Sequence, residues 1–241
     1  MSWMHAFIDV GADASERTSA FWSAVTGWPV GTTWPDHPEF RSLEPAHGSA
    51  YLHIQRIDGP HRVHLDLMSR DVDADRDAHL ALGASAVRRY EWWQVMASPG
   101  GLPYCLVTEH EERARPPGTR WPAGHRSRVA QVCIDIPEAD FDREVAFWQA
   151  ATGWPSQGSS RSEYHRLRPP SECPMFFLLQ RLGSNESGPA RLHLDIGTDD
   201  IPAEVERVRA LGAELVDASH PWTVLTDPAG LPFCVTPRSP E

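Results

Sequence analysis

The chain repeats itself, and the repeat limits its architecture more than any single residue does. RVHLDLMSRDVDADRDAHLALGA (Arg62–Ala84) returns as RLHLDIGTDDIPAEVERVRALGA (Arg191–Ala213). WQVMASPGGLPYCLVT (Trp93–Thr108) returns as WTVLTDPAGLPFCVT (Trp222–Thr236), both shifted by 129 positions. Upstream, FWSAVTGWP (Phe21–Pro29) returns as FWQAATGWP (Phe147–Pro155), shifted by 126. A period this long excludes a solenoid of small units, whose repeats run to about 20–50 residues. It points to two domains, each large enough for its own core. The boundaries predicted are 1–108 and 129–241. Between them, Glu109–Arg128 (EHEERARPPGTRWPAGHRSR) is charged, rich in Pro and Gly and without apolar period, as a linker is; Trp121 is the residue suited to pin it to a domain surface.

Composition narrows the function classes. With 41% hydrophobic and 23% charged residues the chain reads as a globular protein. Its net charge of −11, with the acids scattered, makes nucleic acid and anionic membranes poor partners. No apolar run approaches the roughly 20 residues of a membrane span. The start MSWMHAFIDV lacks the pattern of a signal peptide. Cys105, Cys133, Cys173 and Cys234 show no CxxC spacing. A cytoplasmic setting with reduced thiols is the expectation.

Each copy reads as strand–helix–strand–strand–strand, twice. The short apolar runs His5–Val10 and Gln131–Ile136 suit strands, each followed by an amphipathic helix that runs into Thr-Gly-Trp-Pro. Gly27 and Gly153 fit left-handed helix ends. Strands are predicted near Phe40–Glu44 and Tyr51–Ile57, and near Tyr164–Arg168 and Met175–Leu182. Val63–Met68 then forms a strand and Val72–Leu82 a helix; its counterpart starts at Asp200 as N-cap with Pro202 beside it. Arg76 and His79 fall on the apolar stripe of the first of these helices, which predicts a less buried or rotated helix. Strands near Ala86–Tyr90, Gln94–Ala97 and Tyr104–Thr108 close the copy. This order gives an α+β fold, mixed sheets with helices on the outer face and a cup on the other.

Strand alternation selects the residues that face the cup. In the first copy these are His5, Phe7, Asp9, Arg62, His64, Asp66 and Cys105. In the second they are Gln131, Cys133, Arg191, His193, Asp195 and Cys234, with Asp135 on the same face. Trp93 and Trp222 lie near matched strand starts, where they can line a cup mouth or pack in the core. Trp22, Trp28, Trp148 and Trp154 occupy matched helix positions and belong to the core, whereas Trp34 and Trp92 have no counterpart. His61, His110, His125, His165 and His220 read as surface histidines. Asp66 and Asp195 admit two roles. One is a general base or a group orienting the histidine. The other, favoured because both copies share it, is structural: an ion pair with Arg62 or Arg191, or a hydrogen bond to nearby backbone.

These features together, the repeated βαβββ order, the HLDL strand before a helix ending in LGA, and the DPxGxPFC close, resemble the vicinal-oxygen-chelate superfamily. The glyoxalase-like, bleomycin-resistance and extradiol-dioxygenase proteins belong to it. The resemblance spans nearly the whole chain outside the linker and implies tandem glyoxalase-like domains. It places the family's first-strand metal ligand on His5 and Gln131, the next on His64 and His193, and the last-strand ligand on Cys105 and Cys234, where the family carries glutamate. The middle-strand ligand of glyoxalase I falls near His53 and Leu178. The metal set implied is His5, His64 and Cys105, whose thiolate favours zinc over iron, manganese or nickel. Two readings stay open. The missing glutamate tilts the expectation to a cup that binds a small organic molecule without the family's complete metal site. The alternative is a metal-dependent lyase, isomerase or dioxygenase acting on vicinal oxygens, with Asp66 moving a proton. In either, the partner is a small molecule, and the copies pair within one chain or across a homodimer.

Overall fold

A computed structural model describes residues 1–108, 113–159 and 161–241. The first half runs β1 (Met4–Val10), α1 (Ala12–Thr26), β2 (Val30–Trp34), β3 (His37–Leu43), β4 (Leu52–Arg56), β5 (Arg62–Ser69), α2 (Val72–Ala81), β6 (Ser85–Arg89), β7 (Trp93–Ala97) and β8 (Pro103–Thr108). The second runs β9 (Thr119–Arg120), β10 (Arg126–Ile136), α3 (Phe141–Thr152), β11 (Ser156–Gln157), β12 (Tyr164–Leu167), β13 (Phe176–Arg181), β14 (Arg191–Thr198), α4 (Ile201–Ala210), β15 (Glu214–Asp217), β16 (Thr223–Thr226) and β17 (Pro232–Thr236). No described helix is long and apolar enough to cross a membrane.

The predicted α+β class holds. One sheet has the order β2-β3-β4-β1-β5-β8-β7-β6 and the other β11-β12-β13-β10-β14-β17-β16-β15, with β9 paired to β10. The same topology occurs twice. In each sheet the hairpin strands run antiparallel, while β5 runs parallel to β8 and β14 parallel to β17. The parallel register matters for the chemistry. It sets Asp66 directly across from Cys105, and Asp195 across from Cys234.

The local signals explain the elements. Gly27 (φ 73°) and Gly153 (φ 69°) end α1 and α3 in the left-handed region, which costs a residue without a Cβ little. Asp71 caps α2 by accepting from the Ala74 amide at 3.0 Å, and Asp200 caps α4 by accepting from Ala203 at 3.0 Å. Trp22, Trp28, Trp148 and Trp154 are all buried, as predicted, although Trp28 and Trp154 lie just past the ends of α1 and α3.

By packing, the chain forms two compact units that draw on both copies. The first combines Met1–Ala6, His64–Arg113 and Val132–Leu192; the second combines Phe7–Val63, Ala114–Gln131 and His193–Glu241. In the first unit, Glu144 of α3 accepts from the Gly100 amide in the β7–β8 turn at 2.6 Å. In the second, Asp227 of the β16–β17 turn accepts from the Trp22 indole of α1 at 2.9 Å.

Two expectations are corrected. β10 begins at Arg126 rather than Gln131, because Arg126 and Ser127 pair with Arg120 and Thr119 of β9. The stretch before it is anchored: the Trp121 indole donates to Ser127 Oγ at 2.8 Å, and the Arg207 guanidinium lies 3.6 Å from its ring. His125 is not a surface histidine but a buried one, its Nε2 2.8 Å from the buried Glu204 carboxylate. As expected, α2 is the less buried of the two matched helices, but His79 itself lies inside. It is 1% exposed, with Nδ1 2.9 Å from the Tyr104 hydroxyl and Nε2 3.2 Å from the Ala151 carbonyl. His110 lies outside the described residues.

Candidate metal and ligand site

The site begins with one strand and its parallel neighbour. On β5, residues 64 and 66 share a face, and Cys105 of β8 stands across from residue 66. The donor atoms of His64, Asp66 and Cys105 all lie within 4.8 Å of one another. His64 Nε2 is 3.4 Å from Asp66 Oδ1. On β14 and β17 the arrangement recurs with His193, Asp195 and Cys234. There His193 Nε2 is 3.3 Å from Asp195 Oδ1 and 3.6 Å from Cys234 Sγ.

These distances can be tested against an ion. With bonds of about 2.0–2.1 Å to nitrogen or oxygen and about 2.3 Å to sulfur, neighbouring ligands of a tetrahedral centre stand about 3.3–3.4 Å apart for N and O, and about 3.5–3.6 Å apart for N and S. The His64–Asp66, His193–Asp195 and His193–Cys234 separations match these edges. Asp66 Oδ1 and Asp195 Oδ1 are buried without a hydrogen-bond partner, the state in which an ion would satisfy them. Burial, and next the Asp66 carboxylate, push the Cys105 thiol up to about 12, opposed by its hydrogen bond with His64. A cation at this point would favour the thiolate that these surroundings disfavour. The residues therefore fit a divalent ion with nitrogen, oxygen and sulfur ligands.

His5, placed in the metal set by resemblance, is buried on β1 with its ring edge-on to Trp3 at 6.3 Å. It is not among the three donors that close on one another; Asp66 takes that place. The carboxylate that Arg62 engages is Asp9, at 2.8 Å, with Asp9 fully buried and the guanidinium half exposed. Arg191 engages Glu186 at 3.1 Å. Gln131 donates its side-chain amide to Asp195 Oδ2.

An aromatic group forms in the second unit. Phe7 stacks on His53 with centroids 4.6 Å apart, and Phe40 and Trp34 meet Phe7 edge-on at 5.6 and 6.3 Å. His53 Nδ1 is 3.0 Å from Ser42 Oγ, which accepts from the Trp34 indole at 3.2 Å. Sequence reasoning had Phe7, His53 and Trp34 separately but missed Phe40 and Ser42; the β3–β4 register, Ser42 opposite His53, was the absent information. Cys133 instead donates to Gln180 at 3.6 Å, and Asp135 is buried. Trp93 stacks on Tyr90 at 4.4 Å and Trp222 on His220 at 4.7 Å, both half-buried, while Trp92 is exposed.

A family model described as a glyoxalase-like domain matches residues 5–107 and again 131–236. The chain belongs to this family. Among curated proteins, no sequence matches it. Solved structures share the fold of this glyoxalase-like protein at low identity. The Mn(II)-bound glyoxalase from Novosphingobium aromaticivorans superposes with a TM-score of 0.69 at 16% identity, covering 98% of this chain and 81% of that one. A mutant of 4-hydroxymandelate synthase from Streptomyces coelicolor gives 0.63 at 15%, covering 96% and 91%. Homoprotocatechuate 2,3-dioxygenase from Arthrobacter globiformis gives 0.62 at 17%, covering 96% and 77%. Tandem glyoxalase-like domains, implied by the motifs, are what these matches show.

Proposed function

We propose that this glyoxalase-like protein is a metal-dependent enzyme acting on a small organic substrate with adjacent oxygens, its ion held by His64, Asp66 and Cys105. The closed donor triad of the N-terminal copy carries this reading. It reverses the tilt set by the missing last-strand glutamate, because Asp66 supplies a carboxylate from the neighbouring strand. Nitrogen, carboxylate and thiolate together favour zinc over the harder ions. Bound there, such an ion supplies Lewis-acid polarisation of a substrate carbonyl or hydroxyl.

The chain's own groups do the rest. With an ion on Nε2, His64 would carry its ring proton on Nδ1. Burial of His64 and Cys105 thins the water around the donors. Asp66 keeps some solvent exposure, 13% of its side chain, and it can take or return a proton through the oxygen not turned to His64.

A second reading is sequestration without catalysis. The stacked Phe7–His53 pair with Trp34 and Phe40 favours it, since such rings suit a flat ligand. The test is elemental analysis of protein purified without a metal-affinity tag, alongside tryptophan quenching by a panel of catechols and α-hydroxyketones. Zinc that is lower by one equivalent in His64→Ala and in Asp66→Asn supports the enzyme. Unchanged metal in both variants, with quenching retained, would favour sequestration.

A further inference from the structure

We propose that the inner face of the C-terminal sheet carries an anion site centred on Arg166, which takes a small organic monocarboxylate without the help of a metal. It goes beyond the reading of the N-terminal copy. It uses none of the same residues and stands whether or not an ion is held there.

The strand register places the residues. Leu167 of β12 pairs with Phe177 of β13, whose ring meets Trp148 of α3 with centroids 5.4 Å apart. That face is the helix side. Alternation turns Tyr164 and Arg166 the other way, opposite Gln180 and Leu178. Cys133 of β10 joins them, since its thiol donates to Gln180 Oε1 at 3.6 Å. All of these residues belong to the first compact unit.

Arg166 stands apart from the other arginines of this segment. Its Nε is buried with no hydrogen-bond partner, and the residue as a whole is half-buried. Arg143, Arg161, Arg181 and Arg191 each meet a carboxylate, at 2.6–3.7 Å. Arg168 is exposed to water. Arg166 has no carboxylate partner among the described residues. Across the ladder stands Leu178, and Asp135 lies on β10 with β13 between, about 9–10 Å away by two ladder spacings.

The first copy shows the alternative. EFRSLEP (Glu39–Pro45) matches EYHRLRP (Glu163–Pro169), so Ser42 stands where Arg166 does, and His53 where Leu178 does. Ser42 and His53 satisfy each other at 3.0 Å. The C-terminal copy has neither polar group and sets a guanidinium opposite an alkyl chain instead. A charge partly withdrawn from water without a counter-ion is costly, and an anion on Arg166 offsets that cost.

The surroundings set the class of anion. The planar fork of a guanidinium matches a carboxylate. One cation, with Asp135 as the next charge on this face, balances a single negative charge and not the two of a phosphate monoester. The Tyr164 ring and Leu178 offer apolar surface to a carbon skeleton. With Gln180 Oε1 taken by Cys133, the amide N–H groups of Gln180 remain as further donors.

The whole chain, stripped of metal and desalted, is titrated with acetate, pyruvate and benzoate, and with benzamide as the neutral counterpart of benzoate. Calorimetry should show saturable binding of at least one carboxylate and none of benzamide. Arg166→Gln and Arg166→Met should each weaken that binding about tenfold or more. Arg166→Lys should weaken it less, because it keeps the charge without the fork. Arg168→Gln removes the same charge from an exposed position and should leave binding unchanged. Without ligand, Arg166→Met should melt no lower than wild type, since the charge it removes has no protein partner; Arg166→Gln carries the test should it fail to fold. No saturable binding of any of the three carboxylates to wild type overturns the proposal, and Arg166 then only carries its tip to water. Benzamide bound as tightly as benzoate overturns it too, as does binding that both Arg166→Gln and Arg166→Met leave unchanged. Equal weakening by Arg168→Gln would make the effect one of overall charge and would also sink it. Because no metal is present, failure of the N-terminal reading leaves this result untouched.

Discussion

The two packed units solve one burial problem in two ways. Each buries a helix tryptophan against a tight turn, so the indole N–H and the turn amides all need an acceptor. In the second unit the turn supplies it. Asp227 takes the Trp22 indole at 2.9 Å, the Ala229 amide at 2.8 Å and the Leu231 amide at 2.9 Å. In the first unit the matching turn residue is Ser98, whose hydroxyl accepts from the Leu102 amide at 3.0 Å. The carboxylate comes from the helix: Glu144 takes the Trp148 indole at 2.8 Å and the Gly100 amide at 2.6 Å. At the position matching Glu144, the second unit has Thr18, whose buried hydroxyl has no partner. One carboxylate per unit suffices, and it can come from either side. The turn adapts too, since a Cβ at Gly100 would meet Glu144 at 3.0 Å, whereas its counterpart is Ala229.

The largest effect should come from breaking this exchange. Glu144→Thr leaves two buried N–H groups without an acceptor and opens space beside Trp148. A loss of about 3–5 kcal/mol is expected from denaturant midpoints. Adding Ser98→Asp, which recreates the second unit's solution, should return at least half of it. In that double background Gly100→Ala becomes tolerable, while in the wild type it is not. If Ser98→Asp rescues nothing, the two junctions are not equivalent and the comparison fails.

Such exchanges mark the limit of what the chain discloses before it is folded. The repeat made the tandem fold legible, since matched Thr-Gly-Trp-Pro and HLD segments carry their own caps and periodicity. The inward sets on β5 and β14 were legible from strand alternation alone. The closure of Asp66 on His64 and Cys105 was not, because it depends on a parallel register between strands about 40 positions apart. β2 and β11 escaped notice for another reason: neither has a buried residue to set a pattern, and β2 pairs with shifts in register. His125 looked like a linker residue because its partner, Glu204, comes from a distant helix. Glu144 and Ser98 compensate each other across segments aligned with different offsets, so no local comparison links them.

A second contrast is smaller in energy. The first unit buries His79 against Tyr104, and at the matched positions the second unit has Val208 and Phe233, all fully buried. The Ala151 carbonyl can only accept, so His79 carries its proton on Nε2 and Tyr104 donates to Nδ1. Tyr104→Phe leaves that nitrogen unmet and should cost about 1–2 kcal/mol. His79→Val strands the Tyr104 hydroxyl and should cost somewhat more. The double variant, copying the second unit, should be more stable than the sum of the single losses by about 1–2 kcal/mol. Strict additivity would show that the polar pair is not a coupled replacement for the apolar one.

The same pair should give the first unit a pH response that its counterpart lacks. Burial holds His79 below the ordinary histidine range, outweighing its hydrogen bond to Ala151 and the Asp75 charge. Below pH about 6.5 the unfolded chain therefore takes up a proton that the folded protein resists. The stability tied to neutral His79 is present above that pH and is lost as the pH falls through the lower folded value. Glu144 and Asp227 act in the opposite sense. Burial raises both, so their contribution is intact in acid and declines as the pH rises through their folded values. Comparing wild type with His79→Val/Tyr104→Phe cancels the carboxylates, which both proteins retain. Urea midpoints taken between about pH 7.5 and 5.5 should show the wild type losing ground to the double variant as acid is added. A difference that stays constant over that range would mean that His79 protonates alike in the folded and unfolded states. The buried imidazole would then be no more pH-sensitive than the Val208 that replaces it.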